Sequence, residues 1–152
     1  MNQMNPIPCG RILALDLGKR RIGLAISDEL GITAQGLETL ERGRLRDDLD
    51  RLADLASTRG VTLFLLGNPL HMSGNEGRQA EAVREFGGRL KGRTGLPVEY
   101  WDERLTTVEA SRVLRDSGIS IQKRARAIDR LSAVLILNSF LDSRSGTGLV
   151  EE

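Results

Sequence analysis

With 152 residues, 39% of them hydrophobic and 28% charged, the chain has the length and balance of one globular domain. A formal net charge of +1 neither demands nor excludes nucleic acid, because local patches rather than the total do the binding. The single cysteine, Cys9, excludes an internal disulfide and fits a reducing compartment. No apolar run is long enough for a bilayer, and MNQMNPIPCG lacks the regions of a signal peptide, so a soluble cytoplasmic protein is expected.

Residues 1–9 hold two prolines and little pattern, and are expected to be a flexible N-terminus before a single domain over 10–142. RILALDLG reads as a strand with Leu13, Leu15 and Leu17 on one face and Ile12 and Ala14 on the other. A strand apolar on both sides is central and covered twice. Gly18 to Arg20 make a turn, RIGLAISD returns as a second strand, and ITAQGLETL is a third. Leu45, Leu49, Leu52, Ala53 and Ala56 recur at helical spacing, which predicts a helix over 44–59 stopped by Gly60. VTLFLLG is a fourth, buried strand. A helix over 76–92 faces inward through Ala80, Val83 and Leu90, and PVEYWDE is a fifth, short strand. TTVEASRVLRDSG follows as a helix, with Thr106 and Glu109 spaced as a capping box and Gly118 as its stop. The last helix runs from about Lys123 to Leu141, and 143–152 is expected to be a flexible, polar tail. Three strands in a meander, then helices alternating with two more strands, predict an α/β sandwich on a mixed five-stranded sheet.

Three acids interrupt the apolar pattern. Asp16 shares the Ile12/Ala14 face of the first strand, Glu103 stands where the fifth strand gives way to helix, and Asp129 is in helical register with Ala133, Ile136 and Phe140. Each has an ordinary explanation: a turn cap for Asp16, a pair with Arg104 for Glu103, a pair with Arg126 for Asp129. If the fold brings all three to one end of the sheet, their mutual repulsion calls for a hard divalent cation with oxygen ligands. His71 and Cys9 are too isolated for a zinc site. The basic runs GKRR (18–21) and KRAR (123–126) read, taken alone, as solvated turn and helix ends.

LALDLGKRRIGLAISD, GNPLHMSGNEGRQA, DERLTT and KRARAIDRLSAVLILNSFLD resemble, in order, the blocks of the YqgF family, over roughly residues 10–142. That family is described as Holliday-junction resolvases and as nucleases that mature pre-16S ribosomal RNA, within the ribonuclease H-like superfamily. The resemblance implies an α/β, ribonuclease H-like fold: a five-stranded mixed sheet, three antiparallel strands first, with helices on both faces. It implies Asp16, Glu103 and Asp129 as metal-binding catalytic residues for Mg2+ or Mn2+, two ions flanking the scissile phosphate. Lys19, Arg20, Lys123, Arg124 and Arg126 would hold the phosphate backbone. Thr106 and Thr107 would bind a phosphate oxygen at a helix start, and Asn68 would touch substrate from its strand end. The chain departs from the usual family pattern at Asn68, Ser73 and Ala125, none of them an expected metal ligand.

The expected function is a metal-dependent nuclease in pre-16S ribosomal RNA maturation, acting on nucleic acid as a monomer or homodimer. The alternatives are a Holliday junction resolvase, for which a two-fold dimer suits the junction's symmetry, and a non-catalytic nucleic-acid-binding factor. DLGKRRIG also looks like the first phosphate loop of actin-like ATPases, but those need a second domain and this chain is expected to be one.

Overall fold

The computed structural model describes residues 10–68, 74–102 and 131–144. Strands β1 (Arg11–Leu17), β2 (Arg21–Ser27) and β3 (Ala34–Glu41) form the antiparallel meander. Helix α1 (Leu45–Arg59) leads into β4 (Val61–Asn68), and α2 (Gly74–Thr94) leads into β5 (Val98–Asp102). A further helix, α3, spans 131–144. The five strands make one sheet in the order β3-β2-β1-β4-β5, with β4 parallel to both β1 and β5.

Strand β1 lies at the centre because both its faces are apolar. Leu13 and Leu15 pack with Leu49 and Leu52 of α1 and with Val83 and Leu90 of α2. Ile12 and Ala14 pack on the other face with Ala133, Ile136, Leu137 and Phe140 of α3. Alternation along one strand therefore builds two separate cores, each closed by helices. Helix α1 stops where the sequence says it should: Gly60 takes a left-handed conformation (φ 72°) and its N–H bonds to the Ala56 carbonyl.

Two details differ from the sequence expectation. The third strand starts at Ala34 rather than Ile32, because the Asp28 carboxylate takes the N–H groups of Ile32 (2.7 Å) and Thr33 (3.2 Å). Ile32 is left 68% exposed in the loop. The inner face of α1 also includes Asp48 and not Leu45: Asp48 is 1% exposed while Leu45 is 36% exposed. Asp48 is tolerated there because its Oδ1 accepts the N–H of Gly43 at 3.0 Å and Arg42 lies beside it.

Candidate active site and its supporting turn

Because β1, β4 and β5 run parallel, their last residues Leu17, Asn68 and Asp102 lie at one edge of the sheet. Such an edge is where open α/β sheets bind ligands. Asp16 sits one residue inside it, half-buried, on the strand face that α3 covers through Ile12 and Ala14. Its partner across on β2 is Gly23, and the parallel register that pairs Leu15 with Leu66 brings Gly67 alongside on β4. The carboxylate is thus flanked on both strands by residues without side chains. A β-branched residue at either place, the norm for a buried strand, would stand against it.

Of the other expected site residues, Lys19 and Arg20 are exposed in the β1–β2 turn, and Asn68 is the last residue of β4. Glu103, Thr106, Thr107, Lys123, Arg124, Arg126 and Asp129 lie outside the described residues. Among the described residues no three acids, histidines or cysteines converge to hold an ion. What is described is the position of Asp16, and the end of β5 at the residue before Glu103 in the chain. No described helix is long and apolar enough to cross a membrane.

The turn that carries Lys19 and Arg20 is held from three directions. Gly18 N–H donates to the Arg21 carbonyl at 2.9 Å, and Arg42 N–H donates to the Arg20 carbonyl at 2.8 Å. The Arg42 side chain then donates from Nη1 to the Gly18 carbonyl at 2.7 Å. Its Nε lies 3.9 Å from Asp48 Oδ2, and its guanidinium stands over the Phe86 ring at 5.7 Å. Arg42, Asp48 and Phe86 thus hold the backbone of the turn that follows Asp16 and carries the two exposed cations. Sequence reading missed Arg42 and Asp48. The available signal was Asp48, which lies at helical spacing from Leu52 on the inner stripe of α1.

The fold is that of the ribonuclease H-like proteins. The structure of Thermus thermophilus RuvC in complex with Holliday junction substrate shares it with a TM-score of 0.58 at 14% sequence identity, over 91% of this chain and 97% of that one. The chain belongs to the RuvX family, also called YqgF and described as Holliday junction resolvase, whose family model matches residues 10–143. Among its relatives, a Koribacter versatilis protein is 55% identical over 89% of this chain and 88% of its own length. A Symbiobacterium thermophilum protein is 47% identical over 89% and 94%, and a Heliobacterium modesticaldum protein 42% identical over 93% and 95%. All three carry the name "Putative pre-16S rRNA nuclease".

Proposed function

We propose that this chain is a metal-dependent nuclease that hydrolyses phosphodiester bonds in the maturation of pre-16S ribosomal RNA, in the cytoplasm, as a monomer or homodimer. The observation that carries the reading is Asp16: a carboxylate one residue inside the shared edge of three parallel strands, with bare backbone at Gly23 and Gly67 on either side. The names of the relatives support the substrate.

The residues fit a hard divalent ion. Asp16 offers carboxylate oxygens, and Glu103 and Asp129 would complete an all-oxygen set of the kind Mg2+ or Mn2+ prefers. Bound there, two such ions would supply Lewis-acid stabilisation of the phosphate and a lowered pKa for the attacking water. The chain's own residues do the rest. Lys19 and Arg20, on a turn held rigid by Arg42, neutralise the backbone on one side of the scissile phosphate, and Lys123, Arg124 and Arg126 do so on the other. Thr106 and Thr107 donate to a phosphate oxygen, and Asn68 orients the strand. With an aromatic content of only 3%, base stacking contributes little, so the grip is electrostatic and weakens with salt.

The test uses purified protein with Mn2+ or Mg2+, a labelled precursor of small-subunit ribosomal RNA, a synthetic four-way DNA junction, and Asp16→Asn as control. Metal-dependent cutting of the RNA, lost in a folded Asp16→Asn, is the expected result. Paired symmetric nicks in the junction alone would make the chain a resolvase, the activity in its family description. Cutting of neither would leave a non-catalytic binding factor.

A further inference from the structure

On the α1–α2 side of the sheet, three cavities run into one another. The first, about 320 Å³, opens beside the β1–β2 turn, with Lys19, Arg42 and Arg78 around it and Leu17, Ala82 and Phe86 as its floor. It shares Arg42, Ala82 and Phe86 with a second of about 350 Å³, which in turn shares Leu45 and Arg89 with a third of about 330 Å³. The result is one groove between α1 and α2.

Its charge is one-sided. The groove is lined by six cations against two acids, in a chain whose formal net charge is only +1. Three of the six cations already face an acid: Arg89 lies 3.7 Å from Glu85, Arg93 donates to Asp50 at 3.0 Å, and Arg42 lies 3.9 Å from Asp48 behind the groove, so the excess comes from Lys19, Arg46 and Arg78. The first cavity, nearest the turn, has no acid among the described residues that line it. Local excess of this kind marks an anion track rather than a solvated helix face, where the two signs alternate.

We propose that this mouth is an anchoring subsite for a backbone phosphate of single-stranded nucleic acid, and that the α1–α2 groove carries the strand away from the catalytic edge. The subsite deepens the nuclease reading and rests on it for the strand's origin at Asp16. Asp16 faces α3 and the groove lies behind the opposite face of β1, but Lys19, three residues on, lines the groove mouth. Among the described residues, a strand leaving Asp16 has the tip of the β1–β2 turn to cross. The apolar floor accepts a sugar or the edge of an unstacked base. A duplex keeps its bases inside the stack and cannot put one into a cavity of about 320 Å³, which selects a single strand.

The test measures binding alone, in EDTA, so that no cleavage is needed. A fluorescent single-stranded RNA of about 16 nucleotides is titrated with the full chain at salt from about 0.05 to 0.2 M. Arg42 is unsuitable as a probe, since it also holds the turn; Arg78 and Ala82 are exposed on α2 and serve instead. Arg78→Ala should lower the slope of log affinity against log salt by about 0.7, and Arg78→Glu should weaken binding about tenfold or more. Ala82→Trp, which fills the mouth without changing charge, should weaken it comparably. Arg59→Ala, at the far end of α1, should change affinity less than about twofold, with circular dichroism confirming the fold of each variant. Wild-type-like binding by both Arg78→Glu and Ala82→Trp overturns the proposal, as does failure of the wild-type chain to bind the RNA. The two readings separate cleanly. A chain that cuts neither substrate but loses binding in these variants keeps the subsite and loses the nuclease assignment. A chain that cuts RNA while both variants bind normally does the reverse.

Discussion

Arg42 donates from Nη1 to the Gly18 carbonyl at 2.7 Å, and with its backbone N–H on the Arg20 carbonyl this ties the residue after β3 to the turn after β1. The same guanidinium lies 3.9 Å from Asp48, whose carboxylate is 1% exposed and whose Oδ2 has no hydrogen-bond partner among the described residues. Removing Arg42 therefore does more than delete a surface charge. It leaves a buried carboxylate without its cation and a turn carbonyl without its donor.

Arg42→Ala should destabilise the fold by about 2–4 kcal/mol, below the full value of a buried pair because the arginine side chain is 30% exposed. In urea unfolding, Arg42→Ala/Asp48→Ala should lose less than the sum of the single variants, with a coupling on the order of 1 kcal/mol. Strict additivity would show that the two residues do not act together.

Gly18 and Gly60 should respond to alanine for different reasons. A Cβ on Gly18 would lie 2.8 Å from the Arg21 carbonyl oxygen, a backbone atom that already receives the Gly18 N–H. The turn must open, at about 1–3 kcal/mol. A Cβ on Gly60 meets nothing within 4 Å, but φ is +72°, so the cost is backbone strain alone, about 1–2 kcal/mol. Thermal unfolding gives both losses. Amide shifts of Lys19 and Arg20 should move in Gly18→Ala and stay in place in Gly60→Ala.

Asp28 gives the fold a pH dependence. The N–H of Ile32, above all, holds its carboxyl below its ordinary value of 3.8; desolvation comes next and opposes it, and the N–H groups of Thr33, Asp28 and Gly31 lower it further. A folded pKa depressed below the unfolded one stabilises above the unfolded value, and that contribution is lost as pH falls through the folded value. The stability gap between wild type and Asp28→Ala should therefore be constant near neutral pH and close progressively below 3.8. A gap that persists unchanged in strong acid would show that the loop does not need the charge. Urea midpoints at a series of pH values decide it.

Much of this architecture is legible in the sequence because β1 alternates so plainly. Leu13 and Leu15 against Ile12 and Ala14 announce two covered faces, and Asp16 stands out because it breaks that code. Gly60 announces the end of α1 because only glycine takes that conformation without strain. The turn at Gly18 to Arg20 was legible too, but the residues that hold it were not. Arg42 and Arg78 sit far apart in sequence, each isolated, and only the sheet order and the packing of α2 bring them to Lys19. Asp48 was hidden because a carboxylate in the first turn of a helix is expected on electrostatic grounds wherever it points. Asp28 was read as the end of a strand, whereas its side chain decides where the next strand begins.

Trp101, the only tryptophan, reports on how β5 meets α3. Its Nε1 donates to Ser139 Oγ at 3.0 Å, and its ring stands edge-on to Phe140 at 5.4 Å between centroids. The two contacts should separate by substitution. Phe140 is 3% exposed, so Phe140→Ala opens a cavity against the indole and should cost about 3–5 kcal/mol, with a red shift of the folded-state emission as water reaches the ring. Ser139→Ala removes only the acceptor of a half-buried N–H and should cost about 0.5–1.5 kcal/mol. Its emission should shift little, since the ring's packing is kept. Equal losses in the two variants would mean that the hydrogen bond holds α3 on the end of β5 as strongly as the aromatic contact does. Intrinsic fluorescence followed through urea unfolding reads the emission and the stability in one titration.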